Sequence, residues 1–198
     1  MNLLVSAIRV GVKRFVFTSS MSVYGDQDPP FAEDTKRSPV DIYGITKASF
    51  ENTLEVMSKV YDFEYCIVRP HNVIGPRQAL HDPYRNVVGI FMNRLLQNKP
   101  FYIYGDGKQR RAFSFVDDFI PSLAKCGFSE RAKNQIFNIG ADKPYSINEL
   151  ADRLLVLTHS NIEPIHVKDR PQEVDFAWCD NEKAKSINLK ANSKKEFF

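Results

Sequence analysis

The sequence predicts an α/β protein built on a doubly wound parallel sheet. Two short, nearly unbroken apolar runs, Lys13–Thr18 (KRFVFT) and Phe63–Arg69 (FEYCIVR), read as strands buried on both faces, which is how parallel sheets read. Helical patterns alternate with them in the order helix, strand, loop, helix, strand, the arrangement that generates parallel pairing. No internal repeat or low-complexity segment competes with this order.

The first ten residues form a helical pattern that stops at Gly11. Arg9 interrupts its apolar face and no small-residue cleavage site follows, so it reads as an amphipathic helix rather than a signal peptide. After the strand Lys13–Thr18 come a Ser-rich turn and an acidic, Pro-rich loop up to Pro39. Asp41 is placed to cap a long helix, DIYGITKASFENTLEVMSKVY. The strand Phe63–Arg69 follows. Beyond Gly75-Pro76 the pattern predicts a loop, a helix around Arg85–Gln97, and a hairpin over FYIYGDGKQRRAFSFVDD centred on its Gly-Asp-Gly turn. Phe137–Ile139 is a short strand closing on Gly140. Ser146 and Glu149 are spaced as a capping box opening a helix. Ile162–Lys168 reads as a strand, Asp180 as the cap of a last short helix, and the tail ANSKKEFF as no element.

A length of 198 residues suits one sizeable domain, or a domain with a small annex. With 43 % hydrophobic and 12 % aromatic residues the chain has enough apolar material to fold, which excludes a disordered protein. The net charge of +3 is small and dispersed. Its densest basic run, Lys108 with Arg110 and Arg111, is too short for a nucleic-acid stripe and suits a single phosphate. Cys66, Cys126 and Cys179 are odd in number and lack metal-ligand spacing, which points to a reducing compartment, the cytoplasm, and to no metal site. No apolar run approaches the ~20 residues that cross a bilayer.

Tyr43 and Lys47 stand four apart in the predicted helix and so share a face. An ammonium beside a phenol favours the phenolate, lowering a pKa of about 10 towards neutrality. Such a tyrosine can exchange a proton with a sugar hydroxyl while a nicotinamide exchanges the hydride. Taken alone, the spacing fits an exposed helix pair equally well. Tyr104 and Lys108 repeat it across the Gly105-Asp106-Gly107 turn, where no helix is expected. Upstream, Thr18-Ser19-Ser20-Met21-Ser22 puts hydroxyls at the C-terminal end of a parallel strand, where ligands of doubly wound sheets sit. A serine there can orient the reacting hydroxyl; an ordinary Ser-rich turn reads the same way.

The ordered set TSSMSVYG, YGITK, RPHNVIGPR, IYGDGKQRRAFSFVDD and FNIG resembles the extended short-chain dehydrogenase/reductase family, within it the UDP-glucose 4-epimerase branch, from about the first residue to Asp180. The resemblance implies a Rossmann-type sheet and NAD-dependent epimerisation of a UDP-sugar at C4. Ser20, Tyr43 and Lys47 would be catalytic, and Tyr43, Lys47 and Pro70 would meet the cofactor. Asn72 and Asn86 would contact the sugar diphosphate, Tyr104 the uracil, and Arg111 and Arg170 the phosphates, for which guanidinium forks are suited. Ala177, seven residues after Arg170, would stand over the C2 substituent; being small, it leaves room for an N-acetyl group as well as for glucose and galactose. The implied division is 1–74 with 113–140 for the dinucleotide-binding part, and 75–112 with 141–198 for the substrate-binding region. A homodimer through the helix carrying Tyr43 is also implied. A nucleotide-sugar reductase or dehydrogenase would use the same Ser20, Tyr43 and Lys47.

Four departures qualify the match. Ala112 follows Arg111 where the family commonly has aspartate, and Glu173 stands where an aspartate is usual. Met21-Ser22 replaces the Asp-Glu pair of the 4,6-dehydratases, which disfavours dehydration. None of the nine glycines makes the GxxGxxG turn that binds the pyrophosphate. The expected sheet is therefore incomplete, lacking three βα units of ~30 residues each. NAD binding by this chain alone is expected to be weak, and a non-catalytic remnant is the alternative.

Overall fold

The computed structural model describes residues 1–82, 86–170 and 174–189. Helix α1 (Asn2–Arg9) ends before Gly11, which takes φ 75°, a left-handed conformation open to glycine without steric penalty. Strand β1 (Arg14–Thr18) leads through a 3-10 turn at Met21–Val23 and a loop to α2 (Ile42–Val60). The Asp41 carboxylate caps α2 by accepting from the Gly44 N–H. Next come β2 (Glu64–Pro70), β3 (Val73–Ile74) and α3 (Val87–Leu96). Then follow β4 (Tyr102–Tyr104), β5 (Arg110–Ala112), β6 (Ser114–Phe115) and α4 (Val116–Cys126). A second 3-10 turn, Glu130–Ala132, precedes β7 (Gln135–Ile139) and β8 (Pro144–Ser146). The capping box of Ser146 and Glu149 opens α5 (Ile147–Leu157). Strands β9 (Ile165–Val167) and β10 (Phe176–Ala177) and helix α6 (Glu182–Ser186) complete the chain.

The main sheet has the order β1-β2-β7, all parallel, with Thr18 opposite Val68 and Pro70 opposite Ile139. Alternation along β2 explains its unbroken apolar run. Cys66 and Val68 face a cluster with Phe119, Phe137, Ala184 and Leu189, while Ile67 faces Leu4, Leu54 and Phe63 on the other side. A separate cluster under α3 and α5 contains Ile74, Phe91, Phe101, Phe113 and Leu150. The smaller sheets are β10-β5-β8, β3-β6 and β4-β9.

The hairpin expected over residues 101–118 does not form. β4 pairs in parallel with β9, whereas β5 pairs with β8 and β10. Gly105 and Gly107, at φ 66° and 73°, turn the chain from one small sheet into another instead of folding it back on itself. Helix α4 had no counterpart in the sequence pattern, since Pro121 lies inside it and cannot donate to the helical ladder. The start of α3 expected at Arg85 and the tail 191–198 lie outside the described residues. The last helix begins one residue later than expected: Asp180 still accepts from the Glu182 N–H, but Asn181 is the residue at the cap.

A polar network is sealed into this core. Arg69, 1 % exposed, grips Glu51, 0 % exposed, with Nε–Oε1 at 2.9 Å and Nη2–Oε2 at 2.6 Å. Arg37 reaches the same carboxylate at 2.6 Å and Glu55 at 2.7 Å. Arg69 also donates to the Tyr24 hydroxyl, which donates to Asn138 Oδ1, both at 2.7 Å. The network joins α2, β2, β7 and the loop after β1.

Two outcomes are expected. Arg69→Met alone leaves a buried carboxylate without its main partner and should lower stability by about 3–5 kcal/mol, whereas Glu51→Met with Arg69→Met should restore most of it; urea denaturation measures both. Among the described residues β1 has a strand neighbour on one side only. An apolar edge of this kind invites association. The purified chain should therefore self-associate in sedimentation velocity, and a monomer with a sharp thermal transition would contradict this.

Candidate active site

The C-terminal ends of β1 and β2 bring the first group of side chains together. Ser20, nearly buried, has an extended backbone and caps the turn at Met21–Val23; its Oγ accepts from the Ser22 N–H at 3.1 Å and donates to Ser22 Oγ at 3.0 Å. Tyr43 lies in the first turn of α2 and is 55 % exposed. One turn further, the Lys47 ammonium donates to the Thr18 carbonyl at 2.7 Å and lies 5.5 Å from the centroid of the Tyr43 ring. This bond pins α2 to the end of β1. Burial lowers the Lys47 pKa, and the Glu51 carboxylate opposes that shift.

Ser20, Tyr43, Pro70, Asn72 and Asn86 line one cavity of about 650 Å³. Asn72 and Asn86 also line a second, of about 380 Å³, with Tyr104, Gln109, Arg111 and Arg170. Asn72 and Arg111 line a third, of about 220 Å³, with Met21, Ser22 and Ala177. Shared walls make the three one branched groove around Asn72. That residue holds φ 28°, and its side chain donates to the Ala112 carbonyl at 2.9 Å. Asn86 is committed locally as well: its Oδ1 accepts from the Gly89 N–H to cap α3, and its Nδ2 donates to the Val73 carbonyl.

In the second cavity the Arg170 guanidinium lies 3.7 Å from the centroid of the Tyr104 ring, a cation–π contact. Gln109 Nε2 holds the Tyr104 carbonyl at 2.8 Å. Gly105 holds φ 66°, which favours glycine, and a side chain there would push aside the Asp169 carboxylate now packed against the turn. Arg111 donates to the Asp175 carbonyl at 2.9 Å and to the Val174 carbonyl, tying β5 to the segment ahead of β10. Ala177 is buried opposite Arg111 in the pairing of β10 with β5. Lys47 is not among the residues lining these cavities and reaches the site through Tyr43 and Thr18. Glu173 lies outside the described residues.

Sequence reasoning missed Gln109, whose signal was its place just after the Gly-Asp-Gly turn. His71, inside the RPHN motif, lies in the core behind Pro70 and Asn72 and is not among the residues lining these cavities. His71 is fully enclosed and neither ring nitrogen makes a hydrogen bond. Its ring packs where a side chain on Gly140 would stand. Burial holds its pKa down at about 4, against the pull of Asp142.

The chain matches the NAD dependent epimerase/dehydratase family over residues 1–140. It belongs to that family. It is 35 % identical over 175 residues to the UDP-N-acetyl-alpha-D-glucosaminuronate decarboxylase of Bacillus cytotoxicus, covering 84 % of this chain and 52 % of the relative. It is 34 % identical over 194 residues to a putative UDP-glucose 4-epimerase of Methanocaldococcus jannaschii, covering 96 % of this chain and 61 % of the relative. The UDP-glucose 4-epimerase of Thermotoga maritima, solved with UDP-glucose, superposes with a TM-score of 0.88 at 34 % identity, over 93 % of this chain and 60 % of that one. The chain thus spans between half and two thirds of the length of these relatives. These likenesses agree with the α/β reading and its Rossmann-type parallel sheet.

For a family that uses NAD, the residues here fit the nicotinamide end of the cofactor: a phenol and a proline at a strand end line one roomy cavity, and an ammonium stands beside the phenol outside that lining. They include no glycine turn for its pyrophosphate.

The neutral state of His71 generates a pH prediction. The folded pKa lies below the ordinary 6.5, so the unfolded chain binds the proton first as pH falls. The His71 contribution is intact above pH 6.5, declines between 6.5 and about 4, and levels off below. The full loss is about 3 kcal/mol. His71→Leu should remove that part of the acid destabilisation, read as the difference between parent and variant in urea midpoints across this range.

Proposed function

We propose that this chain carries the proton-transfer and UDP-sugar-binding parts of an NAD-dependent 4-epimerase. The observation that carries the reading is the branched groove. Ser20, Tyr43 and Pro70 line the branch where a sugar would meet the cofactor, and Tyr104, Arg111 and Arg170 line the branch where a nucleoside diphosphate would lie, with Asn72 common to both. NAD, when bound, supplies the hydride acceptor for the sugar C4. Tyr43 takes the proton of the 4-hydroxyl and returns it after the sugar has presented its other face. Ser20 hydrogen-bonds the same hydroxyl and orients it. Lys47, held by the Thr18 carbonyl, favours the Tyr43 phenolate and would donate to the cofactor ribose. Arg111 and Arg170 neutralise the diphosphate, and Asn72 and Asn86 add polar contacts beside it.

The division of labour runs along the chain, with residues 1–74 and 113–140 on the dinucleotide side and 75–112 and 141–198 on the substrate side. Further expectations are a cytoplasmic location and no nucleic-acid or membrane partner. The three cysteines are free and buried, and among the described residues no helix is long and apolar enough to cross a membrane. A homodimer through α2 is supported by Ile42, Ile45, Val56 and Val60, which are all exposed and fall within one stripe of that helix.

The competing reading is a chain that binds a UDP-sugar without turnover, supported by the lack of a GxxGxxG turn among its glycines. Calorimetry separates the parts. UDP-glucose should bind the isolated chain, and Arg170→Ala should weaken it; NAD should bind weakly, and micromolar affinity would refute that expectation. With the glycine-turn segment of a relative fused ahead, UDP-glucose should convert to UDP-galactose with no net NADH, and Tyr43→Phe should lower kcat by about 10²–10⁴. Net NADH production would instead identify a dehydrogenase. The small Ala177 predicts that UDP-N-acetylglucosamine is also turned over. Ala177→Tyr should cost that substrate about a hundredfold in kcat/KM, or about 2.7 kcal/mol, while sparing UDP-glucose.

A further inference from the structure

We propose that Gln109 reads the base of the nucleotide: its side-chain carbonyl accepts the N3–H of uracil and so selects a uracil or thymine nucleotide over a cytosine one. The inference rests on the UDP-sugar reading of the groove and adds the group that tells one pyrimidine from another.

Gln109 follows the Gly105-Asp106-Gly107 turn and is 9 % exposed, on the wall of the cavity that also holds Tyr104 and Arg170. Its backbone is anchored where α5 begins, its carbonyl accepting from the Ile147 N–H at 3.1 Å. Its side chain is oriented by one bond, from Nε2 to the Tyr104 carbonyl at 2.8 Å. That carbonyl can only accept, so turning the amide over would set oxygen against oxygen. The direction of Oε1 is thereby fixed. Among the described residues no group donates to it, and it is not sealed off as the ring nitrogens of His71 are. A side chain nine-tenths buried that keeps an open, unpaired acceptor on a cavity wall is placed to meet a donor on a ligand.

The rest of the cavity defines the ligand that carries this donor. The Tyr104 ring, with the Arg170 guanidinium 3.7 Å from its centroid, and the side chains of Ile90, Phe113 and Ile147 offer aromatic and apolar surface to a planar ring. Arg94 lines the same cavity. Its Nε donates to the Pro100 carbonyl at 2.7 Å, and its two terminal nitrogens have no acceptor among the described residues. The cavity therefore presents one open acceptor together with open guanidinium donors. The edge of uracil is complementary, with an N3–H donor between two carbonyls that accept. Cytosine has a lone pair at N3 and an amino group at C4, so acceptor would meet acceptor and donor would meet donor. A site built to pair a ligand N–H rejects the analogue that lacks it, because the site's own buried group is left unpaired. Thymine carries the same edge as uracil, and Gln109 accepts both.

The test is calorimetry of the chain as it is with UDP, CDP and the N3-methyl derivative of UDP, in which a methyl group replaces the N3 proton. UDP should bind at least about tenfold more tightly than either of the others. Gln109→Leu and Gln109→Met remove the acceptor, with circular dichroism as the folding control. In both variants the three nucleotides should come within about twofold of one another, held by the diphosphate contacts that remain. A Gln109 that only props the turn would weaken all three alike and leave their ratios as in the parent, which overturns the proposal. Equal binding of the three by the parent overturns it too, and so does loss of folding in both variants, which would assign Gln109 to the turn alone. UDP that fails to bind the parent rejects the UDP-sugar reading and this inference with it. UDP that binds no better than CDP overturns this inference and leaves that reading standing.

Discussion

The buried ion pair of Arg69 and Glu51 is the constraint on which the rest of the arrangement depends. Two charges sealed in a core are tolerated only when each satisfies the other with good geometry, and here both carboxylate oxygens meet the guanidinium at 2.6–2.9 Å. Such a pair has little freedom to slide. It therefore sets the position of α2 along β2, and with it the place of Tyr43 and Lys47 relative to Ser20 and Pro70. Through Tyr24 and Asn138 the same network reaches β7, so α2, β2 and β7 are tied by directional bonds as well as by apolar packing.

A second constraint operates where the chain leaves the main sheet. Asn72 sits two residues after Pro70 with a left-handed backbone, and its side chain holds β5 through the Ala112 carbonyl. That bond joins the end of the parallel sheet to the segments that carry Tyr104 and Arg111. The groove branches there because the two groups of strands diverge from this residue. Its position lets one asparagine line all three branches together.

Shared geometry also explains the polar commitments seen around the groove. Arg111 is bonded to backbone carbonyls ahead of β10, and Arg170 stacks on Tyr104. These contacts hold both guanidinium groups at the walls of the same cavity, where their charges add at one location. Attraction of an anion depends on that convergence more than on either arginine alone.

Much of the architecture was legible in the chain itself. The unbroken apolar runs of β1 and β2, the caps at Asp41 and Ser146, and the four-residue spacing of Tyr43 and Lys47 are local signals, and local propensities and periodicity suffice to read them. The hairpin expected around Gly105 was misread because a glycine turn reports a change of direction, not which strand lies beyond it; β9 and β8, distant in sequence, supplied the partners. Helix α4 was hidden by Pro121, whose penalty is offset by burial of Phe119, Ser122 and Cys126. The enclosure of His71 in the core, and of Glu51 by two arginines, had no local signature. Whether a carboxylate four residues from a lysine is a solvated surface pair or a locked internal charge depends on what the fold packs around it. Desolvation, cross-chain hydrogen bonds and the meeting of distant segments arise only once the chain has closed on itself.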